Sequence, residues 1–81
     1  MTATELRDAL IDYMSWYTWS VEEDSPHNRY IVTIGLQMGD REYRQHMAVP
    51  LNLDSNHIPQ LGNALGLHLA FAIDRHIARM G

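Results

Sequence analysis

The segment Glu22-Glu23-Asp24-Ser25-Pro26-His27 gathers the residue types of hydrolytic chemistry: carboxylates, a hydroxyl and an imidazole. A serine nucleophile needs a base within hydrogen-bond reach and an acid behind that base, and adjacency in a turn does not supply that geometry. None of the serines (Ser15, Ser20, Ser25 and Ser55) sits in a nucleophile elbow. Glu22, Glu23 and Asp24 could act as paired carboxylates, but beside a turn a solvated edge is the simpler reading. Five histidines raise the question of metal. His68 and His76 are eight positions apart, so they do not occupy adjacent helical turns as a chelating pair would. His27, His46 and His57 fall on separate elements. Cysteine is absent, which removes thiolate metal sites, disulfides and a cysteine nucleophile. Gly62 and Gly66 lie inside a helical pattern and form no phosphate loop. No catalytic residue, metal ligand or cofactor is assigned, and the chain reads as a non-enzyme.

The elements that position these residues follow from capping, periodicity and turn chemistry. Thr2-Ala3-Thr4-Glu5 is a capping box. Leu6, Leu10, Tyr13 and Met14 then recur at helical spacing and predict an amphipathic helix of about 11 residues. Glu5, Asp8 and Asp12 make an acidic stripe on its other side. In YMSWYTWSVEED the period changes. Continued as helix, Trp16, Tyr17 and Trp19 would point widely apart. As a strand, Tyr17, Trp19 and Val21 share one face, while Trp16, Thr18, Ser20 and Glu22 share the other. The helix is therefore expected to stop near Met14 and a strand to run from about Ser15 to Glu23.

Asp24 to Asn28 is turn chemistry. A second strand is predicted at 29–37, a tight turn at Gly39-Asp40, and a third strand from about Arg41 to Leu51 with Pro50 near its end. After a loop at 52–58, Pro59 suits the first turn of a helix reaching Met80. Ile58, Leu61, Leu65, Leu69, Ile73, Ile77 and Met80 form its apolar stripe, widened by Ala64, Leu67, Ala70 and Phe71. A face this broad predicts burial on more than one side. The expected fold is one α+β domain over residues 1–81, ordered α-β-β-β-α. Its three-stranded antiparallel meander carries both helices on one face. Tyr17, Trp19, Val21, Val32, Ile34, Met47 and Val49 would lie on the covered face. Trp16, Thr18, Ile31, Thr33, Arg44 and His46 would lie on the open one.

Composition limits the partners. The chain is 46% hydrophobic and 20% charged, as expected of a folded domain. All six basic residues are arginine. Residues 1–54 hold nine acids against four arginines, a balance of −5, and residues 55–81 hold Asp74 against Arg75 and Arg79, a balance of +1. An acidic amino-terminal half repels phosphate, so direct nucleic-acid binding is not expected. The apolar run LGLHLAFAI is too short to span a bilayer. The charged amino terminus lacks a signal-peptide core, and a cysteine-free domain of this size fits the cytoplasm. Partner contact falls to three groups: Glu22, Glu23 and Asp24 at one hairpin end; the Glu5/Asp8/Asp12 stripe; and Trp16, Ile31 and Arg44 on the open face, types enriched at binding hot spots. The acids would steer a basic protein partner. Gly62, Gly66 and Ala70, spaced by four, open a groove for a close helix, either the chain's own first helix or that of a second copy.

The α-β-β-β-α order resembles the double-stranded-RNA-binding domain. That family grips phosphates with lysines at the start of its last helix, where this chain reads Asp54-Ser55-Asn56-His57-Ile58-Pro59-Gln60. The layout, from ATELRDALIDY through the meander to the last helix, also resembles small acidic phage-encoded anti-CRISPR proteins. That resemblance implies an inhibitor working by stoichiometric occlusion of a CRISPR-Cas-type host protein, in the host cytoplasm. The alternative is a homodimeric assembly protein using the Gly62/Gly66/Ala70 face.

Overall fold

Thr2 starts the first helix, α1 (Ala3–Tyr13). Its hydroxyl accepts the Glu5 amide at 3.1 Å, and the Glu5 carboxylate accepts the Thr2 amide at 3.0 Å, closing the expected capping box. The computed structural model of the chain describes residues 1–80; the Met80 side chain and Gly81, the expected ends of the apolar stripe and of the chain, lie outside the described residues. Three strands follow α1: β1 (Thr18–Asp24), β2 (Arg29–Met38) and β3 (Arg41–Pro50). A second helix, α2 (Ile58–Met80), completes the α-β-β-β-α order. The strands form one antiparallel sheet in the order β1-β2-β3.

The strand that was expected to begin at Ser15 begins at Thr18, which pairs with Gly35. Residues 15–17 form a turn instead. The Met14 carbonyl holds it, accepting the Tyr17 amide at 3.3 Å and the Trp19 indole N–H at 3.0 Å. A carbonyl at the open end of a helix lacks an internal partner. Here a buried tryptophan from the next strand supplies one, so the helix stops without glycine or proline. β3 ends at Pro50 rather than Leu51, and α2 starts one residue before Pro59. Two short 3-10 turns, Ser25–His27 and Ser55–His57, occupy the connections read as loops. Gly39 takes φ +64° in the two-residue β2–β3 turn, at the first central position, where glycine avoids the left-handed penalty.

Alternation along the strands sends Trp19, Tyr30, Val32, Ile34 and Val49 to the face under the helices, all of them buried. They meet Leu6 and Leu10 of α1 and Ile58, Leu61, Leu65, Leu69 and Ile73 of α2. Each fully buried leucine or isoleucine contributes about 1.5–3 kcal/mol by leaving water. The polar tips of the two buried aromatics are both used: Trp19 donates to the Met14 carbonyl and Tyr30 to the Met1 carbonyl. Among the described residues, no buried side-chain nitrogen or oxygen lacks a partner. The wide apolar side of α2 is buried in part only. Leu67, Phe71 and Ile77 are 57%, 53% and 53% exposed, and Ala70 is exposed too, because the two-layer fold puts nothing above that side.

Candidate partner-binding surface

The sheet register lays out the open face in rows. Thr18, Gly35 and Arg44 form one row; Ser20, Thr33 and His46 the next; Glu22, Ile31 and Ala48 the third. Neither helix covers this face, and Ile31 is its one large apolar side chain, half-buried among polar neighbours. Gly35 is buried at the centre, where the Thr18 hydroxyl fills the space that a side chain would take. Around Gly35 lies a depression of about 360 Å³ between Thr18, Thr33, Glu42 and Arg44. The Arg44 guanidinium donates to Glu42 at 2.6 Å. That contact lowers the Glu42 carboxyl below its ordinary range and raises Arg44. Arg44 is therefore a paired cation at the rim of the depression. The open face offers polar contact and no apolar anchor.

Trp16, expected on this face, sits in the turn at 65% exposure, its ring centroid 5.8 Å from that of Tyr17. Tyr17 in turn meets Trp19 edge-on at 6.2 Å. Trp16 is thus the outermost member of an aromatic series that leads into the core.

The acids behave differently from one another. Asp24 accepts from His27 at 3.0 Å and from Arg29 at 2.8 Å, and these hydrogen bonds hold its carboxyl below the usual range, the His27 bond foremost. Glu23 accepts from the Ser25 hydroxyl at 2.9 Å. Glu22 stands exposed on the open face. The hydrolytic constellation is not assembled: the Ser25 hydroxyl is committed to Glu23, while His27 is turned to Asp24. On α1, Glu5 is engaged in the cap, its carboxyl lowered chiefly by the Thr2 amide, and Asp8 and Asp12 remain exposed. The charges available for steering are therefore Glu22, Glu23, Asp8 and Asp12. Asp24 is largely offset by its own partners.

The groove of small residues is filled by the chain itself. A side chain at Gly62 would meet the Tyr13 ring at 2.9 Å, and one at Gly66 would come to 3.8 Å from Met14 and from the Tyr17 hydroxyl. The Tyr13 hydroxyl also donates to Asn63 at 3.1 Å. Ala70, the third of the series, is exposed beyond this contact.

Two features of the surface were not among the expected site residues. The first is the outer side of α2, with Leu67, Phe71 and Ile77. Its signal was present as the excess width of the apolar stripe. The second is a cleft of about 450 Å³ between the start of β3 and the last turns of α2, lined by Arg41, Tyr43, His68, Arg75, His76 and Arg79 among others. No spacing in the chain joins residue 41 to residues 75–79; only the antiparallel course of α2 along β3 does. Among the described residues, no three His, Asp or Glu side chains converge as a metal site. No described helix is long and apolar enough to cross a membrane. In comparisons with known proteins, no family model, no curated protein and no solved structure matches the chain.

Proposed function

We propose that the chain is a protein-binding module that acts by stoichiometric association and performs no chemistry of its own. One observation carries this reading: Leu67 and Phe71, both more than half exposed, lie one helical turn apart on the outer side of α2. Large apolar side chains grouped at helical spacing, with no partner in their own chain, mark a contact surface more often than scattered exposure does. Phe71 and Leu67 act as the anchor, and Trp16 adds a second aromatic on the amino-terminal side of the molecule. Glu22, Glu23, Asp8 and Asp12 steer a partner with basic surface, chiefly through the association rate. The resemblance of the element order to small phage-encoded anti-CRISPR proteins favours one partner class, a CRISPR-Cas-type host protein blocked by occupancy.

The test is capture from a host lysate with the wild-type chain and with the double variant L67E/F71E. Both positions are exposed, so each substitution should leave stability within about 0.5 kcal/mol. The wild type is expected to retain a partner in stoichiometric amount. The variant should bind it at least about tenfold more weakly, the equivalent of about 1.4 kcal/mol. Equal retention by both chains, with unchanged melting, overturns the anchor. Should sedimentation instead show a wild-type dimer that L67E/F71E dissolves, the covering partner is a second copy.

A further inference from the structure

The cleft between β3 and α2 is positively charged in a chain whose net charge is −4. Three of the six arginines, Arg41, Arg75 and Arg79, line it, joined by His68 and His76. Among the described residues Glu42 is the single carboxylate of the lining, and one of its two oxygens accepts from Arg44 at 2.6 Å. Among the described lining residues, three guanidiniums thus stand against one carboxylate that is already paired with Arg44. Like charges so gathered repel unless an anion enters. Arg41 is held in place by its hydrogen bond to the His76 ring, which is fixed in turn edge-on against Tyr43 at a centroid distance of 5.6 Å. Arg75 and Arg79 are one turn apart on α2 and project on the same side. Phe71 and Arg75 are also one turn apart, so the cleft adjoins the proposed protein anchor along α2, although neither Leu67 nor Phe71 lines it.

We infer that this cleft binds a phosphoryl group, carried by a small molecule of about nucleotide size. Guanidinium donors in a planar fork match the oxygens of a phosphate and stay charged at any physiological pH. A phosphate monoester brings up to two negative charges and three acceptor oxygens, which suits a cleft lined by three arginines better than a single carboxylate does. A volume of about 450 Å³ lies within the range of small-molecule sites and exceeds what phosphate alone would fill. Tyr43 and His76 offer ring surface for the remainder of such a molecule.

The experiment is a titration of the full chain, followed by amide NMR shifts of residues 41–45 and 68–79, with two probes: inorganic phosphate and adenosine 5′-monophosphate. Saturable shifts at these residues are expected with the nucleotide. Arg75→Gln and Arg79→Gln should each weaken binding about tenfold, while Arg7→Gln, on α1, should leave it unchanged. Equal affinity for both probes would assign the site to the phosphoryl group alone and free phosphate as its source. Tighter nucleotide binding would assign it to a phosphorylated small molecule. Shifts that do not saturate, or that persist unchanged in Arg75→Gln and Arg79→Gln, overturn the site. So does saturable binding of an acidic peptide in the cleft when neither phosphate probe binds, since that would make it a second protein contact.

Discussion

Gly62 and Gly66 offer a paired test of how α1 sits on α2. Replacing either by alanine in a helix interior gains about 0.8–1.0 kcal/mol of helix propensity. At Gly66 the added methyl finds Met14 and Tyr17 at 3.8 Å, ordinary contact distance, so the gain is kept. A domain of this size moves by about 4–8 °C per kcal/mol, so Gly66→Ala should raise the melting temperature by about that amount. At Gly62 the methyl would lie 2.9 Å and 3.1 Å from two carbons of the Tyr13 ring. The ring must swing out, which breaks the Tyr13–Asn63 hydrogen bond and opens the end of α1. Overpacking of this kind costs about 1–3 kcal/mol, which outweighs the propensity gain. Gly62→Ala should therefore be neutral or destabilising by up to about 2 kcal/mol, and the two variants should differ by about 1–3 kcal/mol. Thermal melts and urea titrations of both, at two protein concentrations, supply the comparison. Equal stabilisation of the two variants would refute the described contact between Tyr13 and Gly62. A concentration-dependent loss in Gly66→Ala would show that a second copy, not α1, fills the groove.

Acid should weaken the fold through Glu5, Asp24 and Glu42, whose folded pKa values are all depressed by hydrogen bonds. A depressed carboxyl stabilises the fold above its unfolded pKa and loses that effect as pH falls through the folded one. The urea midpoint should hold down to about pH 5 and fall as pH drops below about 4; a flat profile through that window would contradict it. Glu5→Gln, which retains an acceptor for the Thr2 amide, should make the decline shallower. Leu69→Ala, at a fully buried position, should cost about 2–5 kcal/mol in urea denaturation, and a loss under about 1 kcal/mol would place Leu69 outside the core. Trp16 and Trp19 differ sharply in exposure, so acrylamide should quench one tryptophan component readily and the other poorly. Trp16→Phe should remove the accessible component; its persistence would mean that Trp19 is not sheltered.

The features legible in the chain were those set by local chemistry. The capping box, the Gly39-Asp40 turn and the period-2 pattern of Tyr30, Val32 and Ile34 each act over a few residues, and each is realised. β1 starts later than its period suggests because a side-chain hydrogen bond, which periodicity does not register, sets its start. Period alone extends the strand back to Ser15, but the Met14 carbonyl is claimed by Trp19, five residues on, and pulls the intervening residues into a turn. The same contact moves Trp16 off the open face. The charges illustrate a second limit. Glu22, Glu23 and Asp24 look alike in sequence, and only the fold brings Arg29 back across the hairpin onto Asp24 alone. The cleft shows the extreme case, since its arginines come from residues 41 and 75–79.

The two surfaces that sequence reasoning missed share a geometric cause. Three strands spaced about 4.8 Å apart make a sheet roughly 15 Å wide, whereas two helices of about 10 Å diameter need roughly 20 Å side by side. Both helices cannot sit squarely on such a sheet. α1 packs over β1 and against the Gly62 side of α2, which displaces α2 toward β3, an edge strand. A helix overhanging an edge strand leaves a trough beneath its free flank, and residues there reach solvent from both walls. That is where Arg41, Arg75 and Arg79 line one cleft. The top of the same helix has no third layer above it, which leaves Leu67 and Phe71 uncovered. Adding a fourth strand beside β3 would close the trough, and adding a third helix would cover the top. The described residues form neither, so the last helix presents an apolar top and a cationic flank to whatever binds it.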